Sequence, residues 1–237
     1  MAYQFESRVR YSETGENQQL SLVSLVDYFQ DCSTFQSEDL ACGLQYMNEH
    51  NRVWMILSWQ IEIIKRPVLG EKIISKTWPS GFKAFYGYRN FVLLDENGEY
   101  LAKANSVWVL MDVKTGKPCL PEEDHISRYE QEPPLEMQTY SRKIKVPEGG
   151  VTMDSITVNR SHLDSNHHVN NGQYICMAEA YLPEGYHVSG MRVEYRRQAL
   201  LHDVIVPVVY QGEDDITVSL CSENGDVYAV IVFAGSR

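Results

Sequence analysis

The sequence predicts an α+β protein in which one arrangement, a long helix followed by an antiparallel sheet, occurs twice. Three observations support this prediction. An early segment places apolar residues at helical spacing, strand-like runs rich in Val, Ile, Trp, Tyr and Phe follow it, and the same order recurs in the second half. Two twisted sheets of this kind can join edge to edge and wrap two helices.

The first copy begins near the start of the chain. The opening residues alternate like a strand through Phe5, Val9 and Tyr11 and lack the apolar core of a signal peptide, so we expect no targeting segment. Residues 20–33 carry apolar side chains at the spacing of a helix, which continues in pieces towards Met47. The predicted strands that follow are 53–64, 71–79, 82–95 and 100–112.

Turn residues separate these four predicted strands. They are Arg66-Pro67, Pro79-Ser80-Gly81 and Asn97-Gly98, the last of which is a strong hairpin signal. The runs therefore predict a four-stranded meander.

The second copy lies beyond a segment rich in Pro and Glu that lacks a sustained apolar period. We place an N-terminal domain at 1–120, a linker at 121–150 and a C-terminal domain at 151–237. In the last domain, Val169–Tyr181 is predicted to be a helix. The strands predicted after it are 188–198, 202–211, 214–222 and 226–234, with a hairpin turn at Asn224-Gly225.

Fixed residue offsets support the duplication. Ile61–Lys65 matches Val193–Arg197 at an offset of 132 residues, and Glu71–Ile73 matches Asp203–Ile205 at the same offset. The Glu-Asn-Gly turns of the two halves match at an offset of 127, which one shortened loop explains.

Charge and composition exclude several function classes. The chain has 21 Lys and Arg against 32 Asp and Glu, and the resulting net charge of −11 argues against binding to nucleic acid or to an anionic membrane. No apolar run approaches the length of a membrane span. The five cysteines are odd in number, widely spaced and without a C-x-x-C pair, so we expect no disulfide framework or zinc ribbon and a cytoplasmic location.

One segment directly before the second helix has the density of polar side chains that a site needs. Asp164, Asn166 and His168 alternate there, so in an extended segment their side chains share one face. Asn170 or Asn171 can cap the helix, whose free N–H groups then face the same place. This set suits attack of water on a carbonyl, because a carboxylate or imidazole can take the proton while N–H groups hold the oxyanion.

Two other interpretations of this segment stay open. The polar side chains of a capped loop can simply satisfy backbone groups. A metal site is the other, although such tight spacing rarely closes a coordination shell. Its ligands would be His162, Asp164, His167 and His168.

The residues around this segment carry a family resemblance. In order they are Asp164, Asn166, His168, Val169, Asn170, Asn171, Tyr174, Glu179 and Val193–Arg197. This order resembles the D-x-N-x-H-V-N-N, Y, E and EYRR signature of the acyl-acyl-carrier-protein thioesterases. The first half agrees, with Asn51–Trp54 after its helix and with Arg66-Pro67 and Gly70-Glu71 after a strand. The resemblance spans nearly the whole chain and implies a tandem double hot-dog fold, in which antiparallel sheets wrap two long helices.

The resemblance also implies roles for particular residues. The catalytic positions fall on Asp164, Asn166 and His168. The family often has a Glu-Cys pair after the two arginines, whereas this chain has Gln198-Ala199, which excludes a cysteine nucleophile at that place. We therefore expect hydrolysis by a water that Asp164 activates and Gln198 holds. His168 and Asn166 then orient the thioester and stabilise the oxyanion.

Other site residues follow from the same resemblance. Glu194 is a reserve carboxylate that can equally be structural, and we expect no cofactor or metal. Gly15–Gln19, the stretch aligned in the first half, lacks the Asp and His residues, so we expect a single active site per chain. The N-terminal half then supplies the acyl-chain pocket, although plain core is the simpler role for its apolar residues. The predicted substrate-binding residues are Asn170, Asn171, Tyr174, Val26, Phe29 and Trp54.

The implied partner is acyl carrier protein with a fatty acyl chain. Because that protein is acidic and this chain is acidic as well, docking requires a local basic patch. The candidates are Lys65, Arg66, Lys83, Arg192, Arg196 and Arg197. A fused pair of hot-dog domains leaves both a monomer and a homodimer open.

Alternative functions remain at this point. An acyl-CoA thioesterase would use the same site with a different docking surface. A hot-dog dehydratase fits less well, because its motif places His five residues after Asp, whereas His168 lies four residues after Asp164. Gln198-Ala199 keeps open a non-catalytic protein that binds acyl thioesters.

Overall fold

A computed structural model of the chain describes residues 2–236. These residues form two compact units. Unit 1 contains the residues up to Leu57 together with Ile64–Thr139, and unit 2 contains Ser58–Ile63 together with the residues from Tyr140 onward.

Unit 1 contains helices and an antiparallel sheet. Its helices are α1 (Leu22–Asp39), α2 (Leu44–Glu49) and α3 (Glu123–Ser127). Its strands are β1 (Tyr3–Arg8), the first part of β2 (Arg52–Ile63), β3 (Lys72–Lys83), β4 (Tyr86–Asp95), β5 (Tyr100–Asp112) and β6 (Lys117–Pro118). The strand order is β1-β3-β4-β5-β2, and β6 pairs with β5. The predicted meander is confirmed for β3, β4 and β5, which pair in chain order.

Helix α1 forms as its apolar spacing predicts. Ser21 caps it by accepting a hydrogen bond from the Ser24 backbone N–H at 3.0 Å. The predicted continuation in pieces is confirmed, since Ala41 takes a left-handed conformation (φ 52°) and α2 begins after Gly43. A Cβ on Gly43 would lie 2.2 Å from the Glu38 carboxyl group, so a larger residue there would displace the carboxylate that accepts the Leu44 N–H.

The predicted break at Pro79-Ser80-Gly81 is wrong. Strand β3 continues to Lys83, with a register shift between Pro79 and Gly81, and the hairpin turn lies at Ala84 (φ 52°) and the residue after it. The pairing of β3 with β1 ends at Thr77. A proline beyond that point therefore removes no N–H that β1 would have bound.

Unit 2 repeats the plan with a shorter helix. Its helix is α4 (Asn171–Glu179), and its strands are β7 (Val151–Thr152), β8 (Ile156–Thr157), β9 (His187–Tyr195), β10 (Val204–Gln211), β11 (Asp215–Ser222) and β12 (Val227–Ser236). The sheet order is β9-β12-β11-β10, with β7 and β8 on β10, and Ser58–Glu62 pairs with β9. Strand β9 ends earlier than predicted, because the backbone N–H groups of Arg196 and Arg197 both donate to Tyr228 O.

The two predicted hairpin turns are confirmed. Gly98 and Gly225 each have a φ of +85°, a conformation that glycine adopts without strain. In the first turn, Asp95 Oδ1 accepts hydrogen bonds from the N–H groups of Asn97 and Glu99. Among residues 2–236, no helix combines the length and the apolar character that a membrane crossing needs.

The core of unit 1 lies between α1 and its sheet. Phe29 on α1 is fully buried and packs against Phe91 on β4, with ring centroids 5.3 Å apart. A buried phenylalanine of this size removes a large apolar area from water, so the pair fixes how α1 lies on the sheet.

Phe29→Ala should lower the free energy of unfolding by about 3–5 kcal/mol, through lost burial and a residual cavity. Urea titration measures this loss. The matched control is Phe35→Ala on the same helix, because Phe35 is 42% exposed and should cost about 1 kcal/mol. Equal losses from the two variants would contradict the burial pattern of α1.

Asp27 on α1 gives the fold a pH dependence. Burial, together with the negative charges of Asp31 and Glu13, raises the pKa of Asp27 to about 6. A carboxyl with a raised pKa holds its proton better when folded, so its contribution to stability is present at acidic pH and is lost as the pH rises through about 6.

Asp27→Asn should therefore raise the unfolding free energy near pH 7 by about 1 kcal/mol, a figure that allows for water reaching the carboxylate. The same variant should change stability little near about pH 4, where the native carboxyl already holds its proton. Urea titrations at both pH values test this. An equal gain at both would show that ionisation of Asp27 is not the cause.

Candidate active site

The segment Asp164–His168 forms a tight turn directly before α4. The Asp164 N–H donates to His168 O at 2.8 Å, and the His167 N–H donates to Asp164 O at 3.1 Å. The Asp164 carboxylate also accepts hydrogen bonds through Oδ1 from the N–H groups of Asn166 (2.8 Å) and His168 (3.2 Å). The expected extended conformation is wrong, because these bonds close the turn and His167 is left-handed (φ 62°).

Unit 1 contains the same turn in a different sequence. The Gly15 N–H donates to Gln19 O at 3.0 Å, the Gln18 N–H donates to Gly15 O at 2.9 Å, and Gln18 has a φ of 60°. A short 3₁₀ helix precedes each turn, at Tyr11–Glu13 and at Arg160–His162. The duplication predicted from offsets is therefore visible in individual hydrogen bonds.

Comparison of the two turns shows whether the backbone needs a carboxylate at the position of Asp164. In unit 1, Gly15 stands where unit 2 has Asp164, and Asn17 Oδ1 accepts the Gln19 N–H at 3.1 Å instead. The turn thus forms without a carboxylate at its first residue. Both hydrogen bonds to Asp164 use Oδ1, which leaves Oδ2 outside the turn.

Helix α4 begins immediately after the turn. Its N-cap is Asn170, whose Oδ1 accepts the Gly172 N–H at 2.8 Å, so the predicted cap is confirmed. The Asn170 N–H donates to His162 O. Asn166 is exposed and His168 is partly buried. The structure therefore brings Asp164, Asn166 and His168 together in one turn at the positive end of a helix dipole.

The strand connection that contains Gln198 lies beside this turn. The Val169 N–H donates to Ala199 O at 3.0 Å, and the Ala199 N–H donates to the Tyr174 hydroxyl at 2.8 Å. Burial raises the pKa of Tyr174 to about 12, so its hydroxyl stays protonated. Gln198 itself is exposed. Tyr174 thus anchors the backbone next to Gln198, and the predicted substrate contacts of Asn171 and Tyr174 stay predictions.

Glu194 is committed to structural contacts. Its side chain is buried, and Oε2 accepts hydrogen bonds from the Ile144 N–H (2.8 Å) and from Nε (3.0 Å) and Nη2 (2.8 Å) of Arg196. Arg196 Nη2 also donates to Ile144 O. A carboxylate with three donors on one oxygen is poorly placed to take a proton from water, so the structural alternative is favoured for Glu194.

Glu194→Gln should lower the unfolding free energy by about 1–3 kcal/mol, because Arg196 loses its partner charge in a largely buried contact. Urea titration measures the change. The matched control is Asp226→Asn, which removes the partner of Arg197 from an exposed ion pair and should cost at most about 1 kcal/mol. Losses of the same small size in both would contradict the structural role of Glu194.

The other predicted basic residues also have local partners. Arg197 pairs with Asp226, and Arg192 donates to Ser141 O and lies over the Tyr140 ring. Lys65 pairs with Glu71 at 3.4 Å. Of the two remaining candidates, Arg66 donates to Gln19 Oε1, and Lys83 is exposed.

The predicted acyl-pocket residues lie in unit 1. Val26 and Phe29 are fully buried on α1, which is the core role that sequence analysis gave as the simpler one. Trp54 is partly buried and lies 6.0 Å from Phe82, between ring centroids. A role of these three residues in binding stays a prediction.

One polar residue of unit 1 was not selected by sequence analysis. Arg89 on β4 donates to Gln36 Oε1 on α1 and to Thr77 Oγ1 on β3. One signal in the sequence could have found Arg89: it lies in a strand whose neighbouring positions on the same face are apolar or glycine. The pattern of one strand, however, does not reveal that the partners of Arg89 are uncharged.

The alternative of a metal site finds little support in the geometry. The Asn159 N–H donates to His162 Nδ1 at 3.2 Å, so this ring caps the 3₁₀ helix. Within the part of the chain that the structure describes, no three His, Cys, Asp or Glu side chains are grouped so that they could hold an ion.

Both halves of the sequence match known domains. Residues 1–129 match the acyl-ACP thioesterase N-terminal domain, and residues 147–229 match the acyl-ACP thioesterase C-terminal domain.

Curated relatives agree with these domain matches. The chain is 27% identical over 216 residues to a chloroplastic acyl-[acyl-carrier-protein] hydrolase of Cuphea viscosissima, which covers 84% of this chain and 52% of that protein. It is 28% identical over 212 residues to a chloroplastic palmitoyl-acyl carrier protein thioesterase of Gossypium hirsutum, covering 80% and 50%. The chain thus spans about half the length of the curated relatives it matches.

Solved structures with the same fold cover the whole chain. An acyl-ACP thioesterase of Bacteroides thetaiotaomicron superposes with a TM-score of 0.90 at 21% identity, over 99% of this chain and 98% of that one. The 12:0-ACP thioesterase of Umbellularia californica superposes with a TM-score of 0.85 at 18% identity, over 99% and 96%. These likenesses confirm the double hot-dog fold.

Proposed function

The chain belongs to the acyl-ACP thioesterase family, and we propose that it hydrolyses fatty acyl thioesters of acyl carrier protein to free fatty acids. One observation carries the proposal from family to site. The turn before α4 has a carboxylate at its first residue, Asp164. The matching turn of unit 1 forms with no carboxylate at that position. Oδ1 of the Asp164 carboxylate accepts the N–H groups of the turn, whereas Oδ2 lies outside those bonds and is available for chemistry.

The proposed reaction uses water as the nucleophile. Asp164 takes a proton from a water whose oxygen bonds to the thioester carbonyl carbon, and the carbonyl oxygen becomes an oxyanion. Asn166, His168 and the N–H groups at the start of α4 stabilise that charge. The carbon–sulfur bond then breaks, and the proton held by Asp164 passes to the leaving thiolate, which gives a fatty acid and a free thiol.

The residues after the two arginines fit a water mechanism. Ala199 offers no nucleophile, and its backbone is bound to Val169 and Tyr174. Gln198 next to it is exposed and can hold the water through its amide. We assign the role of base to Asp164 and not to Glu194, because the Glu194 carboxylate already binds Ile144 and Arg196.

We also propose a role for unit 1 and a cellular setting. Unit 1 holds the acyl chain, with Val26, Phe29 and Trp54 as candidate wall residues, and the reaction belongs to fatty acid biosynthesis.

The five free cysteines support a cytoplasmic location. Acyl carrier protein then docks through local cations, and a homodimer is one assembly open to the protein.

Asp164→Asn should reduce kcat by about 100-fold or more, because it removes the general base. The amide oxygen of the variant can still accept the N–H groups of Asn166 and His168, so the turn is kept. The measurement is hydrolysis of acyl-acyl-carrier-protein substrates from short chains to about eighteen carbons, beside the matching acyl-CoAs.

Glu194→Gln is the matched control for this experiment. It should retain turnover at a temperature where it is folded, since its carboxylate is structural. Unchanged turnover in Asp164→Asn would remove Asp164 from its role. Greater activity on acyl-CoA would replace the carrier-protein substrate with CoA, and no activity on either would indicate an acyl-thioester-binding protein.

A further inference from the structure

Arg89 lies inside unit 1, between α1 and the sheet. Side chains alternate along a strand, so Gly87, Arg89 and Phe91 share one face of β4. Phe91 on that face packs against Phe29 of α1. Arg89 contacts the same helix further along, because its Nη1 donates to Gln36 Oε1. The same Nη1 donates to Thr77 Oγ1 on β3 at 3.2 Å.

No carboxylate neutralises this guanidinium. Among residues 2–236, no Asp or Glu forms an ion pair with Arg89, and its hydrogen-bond acceptors are a neutral amide and a hydroxyl. Burial lowers the pKa of Arg89. Burying a cation even partly without a counter-charge costs free energy, and a hydrogen-bond acceptor on a ligand would offset part of that cost.

Arg89 also has donors left for a ligand. A guanidinium carries five N–H donors, and the contacts to Gln36 and Thr77 use only Nη1. Nε and Nη2 lie outside those contacts. Arg89 keeps part of its surface accessible, whereas Gln36 and Thr77 are buried.

Aromatic rings surround this end of the interior. Arg89 lies over the Tyr129 ring, 5.4 Å from its centroid, and the ring centroids of Tyr129 and Phe82 are 6.3 Å apart. Trp54 follows at 6.0 Å from Phe82, and Gly87 leaves room for it, because a Cβ there would lie 3.2 Å from the indole. An apolar wall with one unneutralised cation suits a chain that is apolar along most of its length and carries one oxygen.

We infer that unit 1 binds an acyl chain with an oxygen substituent, a hydroxyl or a carboxylate, and that Arg89 donates hydrogen bonds to that oxygen. This inference rests on the proposed function, in which unit 1 holds the acyl chain. A plain acyl chain would place methyl or methylene groups against Nε and Nη2 of Arg89, and sites built for an oxygen discriminate strongly against analogues that lack it.

The test measures binding without turnover. The probes are acyl-pantetheine amides of equal chain length, in which NH replaces the thioester sulfur and the far end carries a methyl, a hydroxyl or a carboxylate. Isothermal titration calorimetry should show that the wild-type protein binds an oxygenated probe at least about tenfold more tightly than the plain one. The hydroxyl and carboxylate arms identify which oxygen is preferred.

Arg89→Met should abolish this preference by weakening the oxygenated probe and not the plain one. Arg8→Met is the matched control and should keep it, because Arg8 is an exposed arginine on β1. Arg89→Lys retains the charge without the fork of donors and should reduce the preference. Equal affinities in the wild-type protein, or a preference that survives in Arg89→Met, would overturn the inference whatever the stability of the variants.

A separate measurement keeps this test distinct from that of the proposed function. Hydrolysis of plain acyl-acyl-carrier-protein substrates reports on the activity alone. If hydrolysis occurs and the amide probes bind with equal affinity, the activity stands and the inference fails. If no substrate is hydrolysed but the oxygenated probe is preferred, the activity fails and Arg89 keeps its role in binding.

Discussion

Main-chain hydrogen bonds that hold the turn before each helix are the constraint on which the site depends. In unit 1 the Leu20 N–H donates to Pro67 O, and in unit 2 the Val169 N–H donates to Ala199 O. A side-chain oxygen completes the bonds inside each turn, but it comes from different positions, Asn17 in unit 1 and Asp164 in unit 2. Residues at the first and last positions of the turn can therefore differ between units while the backbone stays the same.

The side chains that occupy those positions give the two turns different chemistry. Unit 1 has Gly15 and Gln19, whose side chains carry no acid or base group, and unit 2 has Asp164 and His168, which carry a carboxyl group and an imidazole. Under the proposed function, the contrast would restrict catalysis to unit 2 although the two turns share one backbone geometry. It also explains why Glu194 is not interchangeable with Asp164, since three donors already occupy its buried carboxylate oxygen.

Much of the fold could be predicted from the sequence because its signals are local. Apolar spacing predicted α1, and Asn-Gly pairs predicted both hairpin turns. The turn at Asp164 could not be predicted, because alternation of polar residues fits a strand as well as a turn closed by a carboxylate. The strand through Pro79 was missed because a proline is tolerated in a strand only where one of its two sides lacks a partner, as on the β1 side here, and pairing is not local information. Arg89 was missed for the same reason, since its partners lie 12 and 53 residues away in the sequence.

The residue that precedes the anchored backbone completes the contrast between the turns. In unit 1 that position holds Arg66, whose guanidinium donates to Gln19 Oε1, and at the matching offset unit 2 holds Gln198. Because Gln19 matches His168, an arginine at this place in unit 2 would put a cation beside the turn, and a nearby cation makes a carboxylate a weaker base. A neutral amide adds no charge and can still bind a water by donating and accepting. The family often has a carboxylate where this chain has Gln198, and the change is consistent with the proposed catalysis. Gln198 can help to hold the water without competing with Asp164 for the proton.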